Sequence, residues 1–169
     1  MTKTRTDRLD AEPARLSIDT PIGPLVLAGD EAALTHVWLP GTTEPGSSRG
    51  EVPAPLRAAA AQLGEYFSGG RRSFSLPLAP HGTAFQLAVW KALADIPYGE
   101  TITYGELAQR VGRPAAFRAV GQANGANPIP IVYPCHRVVA AGRRLGGYGG
   151  GLETKRRLLA MEGVAPLPS

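Results

Sequence analysis

A single cysteine lies in one of the most apolar stretches of this 169-residue chain. Cys135 stands between Pro134 and His136, within the run from Ile129 to Val139. One cysteine cannot form an internal disulfide, so the fold has to be held by a hydrophobic core, and a reducing cytosol is the expected compartment. A lone thiol beside a histidine is either a small buried apolar residue or a nucleophile with a base nearby.

Composition and charge narrow the classes of protein that fit. Hydrophobic residues make up 43% and charged residues 19% of the chain, as in a globular protein with a core. No apolar run is long enough to span a membrane, and the polar N-terminus has no signal-peptide pattern. Of the net charge of +4, residues 82–169 supply +5 and residues 1–81 supply −1. This asymmetry indicates either a polyanionic partner such as nucleic acid or an ordinary basic surface.

The first part of the chain has the pattern of a small α+β unit. Its predicted elements are three strands, one helix and a fourth strand, at 15–18, 25–28, 34–39, 56–67 and 74–76. No constellation of residues in this part points to chemistry. His36 has no neighbours that could complete a metal site, so a packed or surface role is expected.

Proline and glycine mark the boundary between two domains. The apolar pattern becomes helical after the segment 77–82, which contains Pro77, Pro80 and Gly82. We therefore predict a disordered tail at 1–13, an N-terminal domain at 14–76, a linker at 77–82 and a C-terminal domain at 83–169.

The second part begins with helices that have clear start signals. Two capping boxes open two of these helices, Thr83 with Gln86 and Thr103 with Glu106. Pro114 suits the first turn of a third helix, which ends near residue 125. The second and third helices form a candidate helix-turn-helix, although many helical hairpins bind nothing.

This third helix is predicted to have two unlike faces. The inner face is small and apolar, with Ala116, Ala119, Val120 and Ala123. The outer face is nearly smooth, with Pro114, Arg118, Gly121, Gln122 and Gly125. Glycine weakens a helix, so the glycines favour a close approach to another backbone over an exposed helix with a solvated arginine.

Two features near the C-terminus complete the pattern. A loop at 146–151 consists almost entirely of glycine, which lets a backbone lie against a flat ligand. The last helix, from about 152 to 161, places Glu162 on its apolar side, where a carboxylate is opposed by the helix dipole and by desolvation. Such a glutamate is either functional or solvated at a frayed helix end.

The spacing of Cys135 and His136 alone does not decide their chemistry. The segment 134–139 reads as buried extended chain, in which neighbouring side chains point to opposite faces. His136 could then act on the thiol only through a water, or directly if the backbone turns there. Glu162 could hold the imidazole in the right tautomer.

Taken together, these motifs resemble the O6-alkylguanine-DNA alkyltransferases. The resemblance covers residues 82–163 nearly without gaps, whereas the first half matches only in outline, through residues 17–25. The matching segments are 83–90, 96–99, 103–108, 118–121, 127–128, 134–138, 147–151 and 155–163. The resemblance implies an α+β fold, with a small ribonuclease-H-like N-terminal domain and a mainly helical, winged-helix-like C-terminal domain that contains the helix-turn-helix.

The resemblance also implies a single-turnover repair reaction. Cys135 would accept the alkyl group from O6 of guanine, and from O4 of thymine, irreversibly. His136 would deprotonate the thiol through a water, Glu162 would orient His136, and Tyr104 would donate to the departing guanine. Arg118 would replace the flipped nucleotide in the base stack, and Asn127 would be the hinge to the cysteine segment. The other expected contacts are to DNA, by Tyr104, Ala119, Gly121, Gln122 and Gly125, and to the base, by Asn124, Val138, Tyr148, Gly149 and Lys155.

The implied partner is double-stranded DNA with an O6-alkylguanine, bound through its minor groove by a protein that is monomeric when free. Cooperative assembly on DNA is left open. No metal, cofactor or membrane is implied, since the N-terminal cysteines that bind zinc in some relatives are missing. Two other departures are Gly149, where many relatives have serine, and Phe117, which is bulkier than the residue usual beside the finger.

Three other functions compete with repair. A lesion-binding alkyltransferase-like protein would lack the nucleophile, and Cys135 is present. A winged-helix regulator would read bases with polar side chains, whereas this helix offers Gly and Ala. A Cys-His hydrolase would need an oxyanion site that the sequence does not show.

Overall fold

The computed structural model describes residues 12–42, 47–48 and 50–169. Most of the predicted disordered tail at 1–13 lies outside these residues. Below, "N-terminal half" means the described residues before Thr83, and "C-terminal half" means those from Thr83 onward. The fold is α+β, with a small sheet in the N-terminal half and mostly helices in the C-terminal half, as the sequence predicts.

The N-terminal half is an antiparallel sheet covered by one helix. Its strands lie in the order β1, β2, β3, with Leu16 opposite Leu27 and Leu27 opposite Val37. Helix α1 packs on the sheet through Leu56, Ala59 and Leu63, and the central strand β2 is buried throughout. The four elements are β1 (Ala14–Ile18), β2 (Leu25–Gly29), β3 (Leu34–Trp38) and α1 (Ala54–Phe67).

The fourth strand predicted at 74–76 is wrong. The chain forms a single bridge instead, in which the Leu34 amide donates to the Pro77 carbonyl and the Ala79 amide donates to the Leu34 carbonyl, both at 2.9 Å. Pro77 and Pro80 have no N–H to donate, so the pairing cannot extend into a ladder.

The C-terminal half is a helical group with one short parallel strand pair. Helix α4 packs across α2 and α3, and strands β4 and β5 pair through Ile102 with Val138 and Thr103 with Val139. No helix in the described part of the chain is long and apolar enough to cross a membrane. The elements are α2 (Ala84–Leu93), β4 (Ile102–Thr103), α3 (Tyr104–Arg110), α4 (Phe117–Gly125), β5 (Val138–Val139) and α5 (Leu152–Met161).

Both predicted capping boxes are confirmed. The Thr83 hydroxyl accepts from the Gln86 amide at 3.1 Å, and the Gln86 side chain accepts from the Thr83 amide at 3.0 Å. The same pair of bonds joins Thr103 and Glu106, at 3.1 and 2.6 Å. These bonds satisfy amides that have no partner within the helix, and they fix where α2 and α3 begin.

Helix α4 differs from the prediction in its start and in one face. It begins at Phe117, and Pro114 lies in the turn before it. Ala119 was predicted to face inward but is exposed; the buried residues of α4 are Val120, Ala123 and Asn124. The Trp90 indole donates to the Ala123 carbonyl at 2.8 Å, which anchors this helix on α2 in that orientation.

The core consists of two clusters that do not follow the chain order. One cluster lies between α2, α3, α4 and the cysteine segment and includes Trp90 and Cys135. The other lies under the N-terminal sheet, yet it also includes four residues from the C-terminal half: Ile129, Ile131, Val132 and Leu158. The N-terminal half therefore packs against the segments on either side of the candidate site. The domain boundary at 77–82 stays a prediction.

Candidate active site

The residues around the cysteine form a turn. Cys135–Arg137 is a single 3-10 turn, in which the Arg137 amide donates to the Pro134 carbonyl at 3.0 Å. The prediction of buried chain is confirmed, but extended chain is wrong at these three residues, and strand pairing begins only at Val138, opposite Ile102. His136 is consequently not held on the face opposite the thiol.

His136 and Glu162 form a buried hydrogen-bonded pair. The imidazole Nε2 lies 2.9 Å from Oε1 and 3.2 Å from Oε2 of the carboxylate, and both side chains are inaccessible to solvent. The imidazole Nδ1 is also buried and has no hydrogen-bond partner within the described residues. With the proton on Nε2 and donated to the carboxylate, Nδ1 is left as a free basic nitrogen.

Two further side chains bind the same carboxylate. The Arg137 guanidinium donates to Oε1 of Glu162 at 2.6 Å through Nη2 and at 3.0 Å through Nε, and its Nη1 donates to the Ile96 carbonyl at 2.7 Å. The Tyr66 hydroxyl donates to Oε1 at 3.1 Å. Glu162 thus joins the last helix, the cysteine turn and α1.

These contacts set the protonation states of His136 and Glu162. Burial raises the pKa of the Glu162 carboxyl, but hydrogen bonds from His136 and Arg137 outweigh it and bring the pKa to about 2. Burial lowers the pKa of His136, a shift that the bond to Glu162 opposes and the charges of Arg137 and Lys155 reinforce. At neutral pH the pair is therefore an ionised carboxylate with a neutral imidazole.

The Cys135 thiol lies in a dry setting. It is 6% exposed, and burial raises its pKa, although Asn127, Lys155 and Tyr148 act in the opposite direction. Tyr148 has a buried hydroxyl without a hydrogen-bond partner within the described residues, and burial and Cys135 raise its pKa. The thiol is thus protonated at rest, and it needs a base to become a nucleophile.

Lys155 holds two walls of the site together. Its ammonium is buried and donates to the Val138 carbonyl at 2.7 Å and to the Gly147 carbonyl at 3.1 Å. Burial lowers its pKa to about 8. These bonds tie β5 to the glycine loop, and Gly149 in that loop is exposed.

Tyr104 interacts electrostatically with the Cys135 thiol. It is the first residue of α3, and a methyl group built on Gly121 or Gly146 would lie 3.7 or 3.5 Å from its ring. Burial and Cys135 raise its pKa, against an interaction with Asn124. Of the two α4 glycines predicted to allow close approach, Gly121 therefore has a neighbour inside the protein, the Tyr104 ring, whereas nothing would lie within 4 Å of a methyl group on Gly125.

Asn127 connects α4 to the cysteine segment. Its amide nitrogen donates to the Tyr133 carbonyl at 2.8 Å, and its amide oxygen accepts from the Ile129 N–H at 3.0 Å. Between these two residues Ile131 adopts a φ of 74°, which is unfavourable for a β-branched residue. The hinge role that the resemblance implies for Asn127 stays a prediction.

The outer face of α4 is open to solvent. Arg118, Ala119, Gln122 and Gly125 are exposed, and Gly121 is half-buried. The Arg118 guanidinium carbon lies 6.0 Å from the centre of the Phe117 ring, which is itself 51% exposed. The face therefore presents one long basic side chain and one aromatic ring on an otherwise small surface.

Sequence reasoning found most of this site but missed two of its members. Arg137 was counted only as part of a motif, although a guanidinium directly after the Cys-His pair is a natural partner for a buried carboxylate. Tyr66 carried no sequence signal, because 96 residues separate it from Glu162. No group of three or more His, Cys, Asp or Glu in the described ranges could hold a metal ion.

Comparisons with known proteins match both parts of the chain to one family. Residues 84–164 match the 6-O-methylguanine DNA methyltransferase DNA-binding domain, and residues 16–80 match the ribonuclease-like domain of the same proteins. The methylated-DNA–protein-cysteine methyltransferase of Methanosarcina barkeri is 51% identical over 153 residues, which cover 86% of this chain and 94% of the relative.

Solved structures agree with these matches. The O6-methylguanine methyltransferase of Mycobacterium tuberculosis superposes with a TM-score of 0.80 at 48% identity, over 91% of this chain and 95% of the other. The Mycobacterium tuberculosis OGT in complex with DNA gives a TM-score of 0.79 at 49% identity, over 88% and 92%. The matches in sequence and in structure span both halves, and the chain belongs to the O6-methylguanine-DNA methyltransferase family.

Proposed function

We propose that this protein repairs DNA by direct reversal, moving the alkyl group from O6 of guanine, and from O4 of thymine, to Cys135. The observation that carries the proposal is the free, buried thiol next to the His136–Glu162 pair. Because a thioether does not return its alkyl group, each molecule acts once.

The site residues support a specific order of proton movements. Nδ1 of His136 takes the thiol proton, through one water, while Glu162 holds the Nε2 hydrogen. The thiolate then attacks the alkyl carbon, so that an S–C bond forms and the C–O6 bond breaks with its electron pair on the guanine. Tyr104 donates a proton to the guanine as negative charge develops on N3, and the proton that His136 took from the thiol returns through water to restore the phenol, so that the net transfer of the proton is from sulfur to guanine. Lys155 and Tyr148 shape the base pocket, with Val138 backbone groups on the guanine edge.

Reaching the thiol requires the base to leave the duplex. An O6-alkyl carbon lies inside the stack, and Cys135 is almost fully buried, so the nucleotide has to rotate out at a cost of a few kcal/mol. The outer face of α4 suits the minor groove, because its small residues permit close approach and Arg118 can fill the gap in the stack. The positive charge of the C-terminal half favours the same partner.

Two further parts of the proposal rest on the sequence. A chain with one cysteine and no disulfide suits the cytoplasm. The nucleophile Cys135 distinguishes this chain from lesion-binding relatives that lack it.

Intact mass measurement tests the proposal directly. Duplex DNA with one O6-methylguanine is incubated with the protein, and we expect a gain of one methyl group that maps to Cys135. Cys135→Ala should bind the same duplex and gain no mass. Transfer retained by Cys135→Ala, or no mass gain in the unchanged protein, would contradict the proposal.

A further inference from the structure

A tyrosine from the N-terminal half reaches into the candidate active site. Tyr66 lies on α1 with 1% of its surface exposed, and its hydroxyl donates to Oε1 of Glu162 at 3.1 Å. The same oxygen lies 2.9 Å from Nε2 of His136. Oε1 of Glu162 thus links Tyr66 of the N-terminal half to His136, the proposed base.

The Tyr66 ring is held rigidly by its neighbours. Phe67 and Tyr98 contact it edge-on, with ring centres 5.1 and 6.2 Å away, and Phe74 lies at 5.7 Å. It also belongs to the N-terminal core cluster. A ring fixed on several sides aims its hydroxyl in one direction, so the bond to Glu162 is preorganised.

We propose that Tyr66 is a positioning residue for alkyl transfer: its hydroxyl fixes the Glu162 carboxylate and limits how strongly that carboxylate holds the His136 proton. This inference rests on the proposed function and extends it, because it gives the N-terminal half a part in the chemistry. Tyr66 touches neither the thiol nor the base, and it acts through Glu162.

The physical reason lies in how one carboxylate shares its negative charge among several donors. His136, Arg137 and Tyr66 all donate to Oε1 of Glu162. Each donor withdraws charge from the carboxylate, so removing one strengthens the remaining bonds. Without the phenol, Glu162 would bind the imidazolium form of His136 more tightly, and the pKa of His136 would rise.

The other charged or titratable groups nearby do not replace this contact. Arg137 already binds the carboxylate, Lys155 donates to backbone carbonyls, and the Tyr148 hydroxyl makes no hydrogen bond to Glu162 or to any other described residue. Tyr98 stacks over Arg137 at 5.7 Å, while its hydroxyl donates to the Met161 carbonyl at 3.2 Å. Tyr98 therefore offers a matched control, a nearby phenol that does not bind Glu162.

The experiment measures single-turnover transfer from free O6-benzylguanine between pH 5 and 8, with the full chain. For Tyr66→Phe we expect transfer about tenfold slower at neutral pH, the size expected for one lost hydrogen bond to a charged group. We also expect the acidic side of the profile to move to higher pH, since His136 would be protonated more easily. Tyr98→Phe should leave the profile in place.

A second substitution keeps the test independent of folding. Fluorination of the Tyr66 ring retains the hydroxyl and makes it a stronger donor, so the acidic side should move to lower pH. A profile that stays in place with both Tyr66 changes, or a uniform loss of rate without a shift, would overturn the inference. If the unchanged protein did not react at all, the proposed function would fail instead.

Discussion

The two halves of the molecule contribute different things to one site. In the C-terminal half, the side chains of the candidate site, Cys135, His136 and Glu162, come from a short 3-10 turn and from the C-terminal end of α5. The N-terminal half is a sheet covered by one helix. It contacts these side chains through Tyr66, whose hydroxyl donates to Glu162.

The N-terminal half packs against the backbone segments that lead to Cys135 and Glu162. Ile131, four residues before Cys135, and Leu158, four residues before Glu162, are both buried in the N-terminal core cluster. The Val37 amide of β3 also donates to the Pro128 carbonyl at 2.8 Å, directly after Asn127. The C-terminal half therefore presents the side chains of the candidate site, and the N-terminal half fixes the course of the backbone that carries them.

The largest expected effect comes from the carboxylate where the halves meet. Glu162→Gln removes the charge that pairs with Arg137, so we expect about 3 kcal/mol less stability from the unpaired buried guanidinium. Transfer should slow about a hundredfold, because a neutral amide stabilises the imidazolium poorly. Urea unfolding and single-turnover transfer measure the two effects.

The control for this change lies on α1. Glu65 makes an exposed ion pair with Arg71 at 2.6 Å, and Glu65→Gln should change stability by less than about 1 kcal/mol and leave transfer unaffected. Equal effects of Glu162→Gln and Glu65→Gln would mean that the buried His136–Glu162 pair has no special role.

The second prediction separates scaffold from chemistry with two leucines of the same core cluster. Leu158→Ala and Leu56→Ala each remove a fully buried side chain, so each should cost about 2–5 kcal/mol of stability. Only Leu158→Ala should also slow transfer, by about tenfold, since it loosens the turn of α5 that carries Glu162.

Measuring both variants at a temperature where they remain folded isolates the effect on rate. If Leu56→Ala slowed transfer as much as Leu158→Ala while both variants are folded, a cavity under the N-terminal sheet would disturb the site as much as one on the helix that precedes Glu162. The hypothesis that the two halves contribute differently to the site would then be wrong.

The third prediction concerns the surface of the C-terminal half. Arg118→Ala should slow repair of duplex DNA by about tenfold while transfer from free O6-benzylguanine stays the same, because only the duplex requires a side chain in the stack. Arg57→Ala on α1 removes an exposed arginine of the other half and should change neither rate. Equal loss on both substrates would contradict the finger role of Arg118.

Local signals made much of the fold predictable. The capping boxes at Thr83 and Thr103 depend on residues three positions apart, and the three strands are short apolar segments, the first two separated by a turn with Pro and Gly, so both are predictable from the sequence. The turn at Cys135–Arg137 was missed because its flanking residues are β-branched and apolar, as in a strand. Pro114 fits a helix start chemically, but α4 begins three residues later, after the turn.

The missed parts of the site depend on distance along the chain. Ala119 was assigned to the buried face by helical spacing alone, whereas the packing of α4 on Trp90 sets its actual rotation. Glu162 was found because its position conflicts with the helix dipole, a local conflict. Tyr66 conflicts with nothing in its own helix, and only the folded structure brings it to Glu162.

The smallest expected effect comes from Phe117, the exposed ring beside Arg118. Phe117→Ala removes the ring near which the Arg118 guanidinium lies, a contact of about 0.5–1 kcal/mol at an exposed site. Arg118 would then sample more conformations before it enters the stack, so repair of duplex DNA should slow about two- to fivefold. Transfer from free O6-benzylguanine should not change.

A matched control for Phe117 is Leu87→Ala on α2, which removes another exposed apolar side chain of the C-terminal half. It should leave both rates unaffected. In the double variant Phe117→Ala with Arg118→Ala, the Phe117 change should add nothing, because a ring that acts by holding the arginine has no effect once the arginine is gone. A further loss in the double variant would show that Phe117 contacts the DNA on its own account, and the outer face of α4 would then carry two separate wedges.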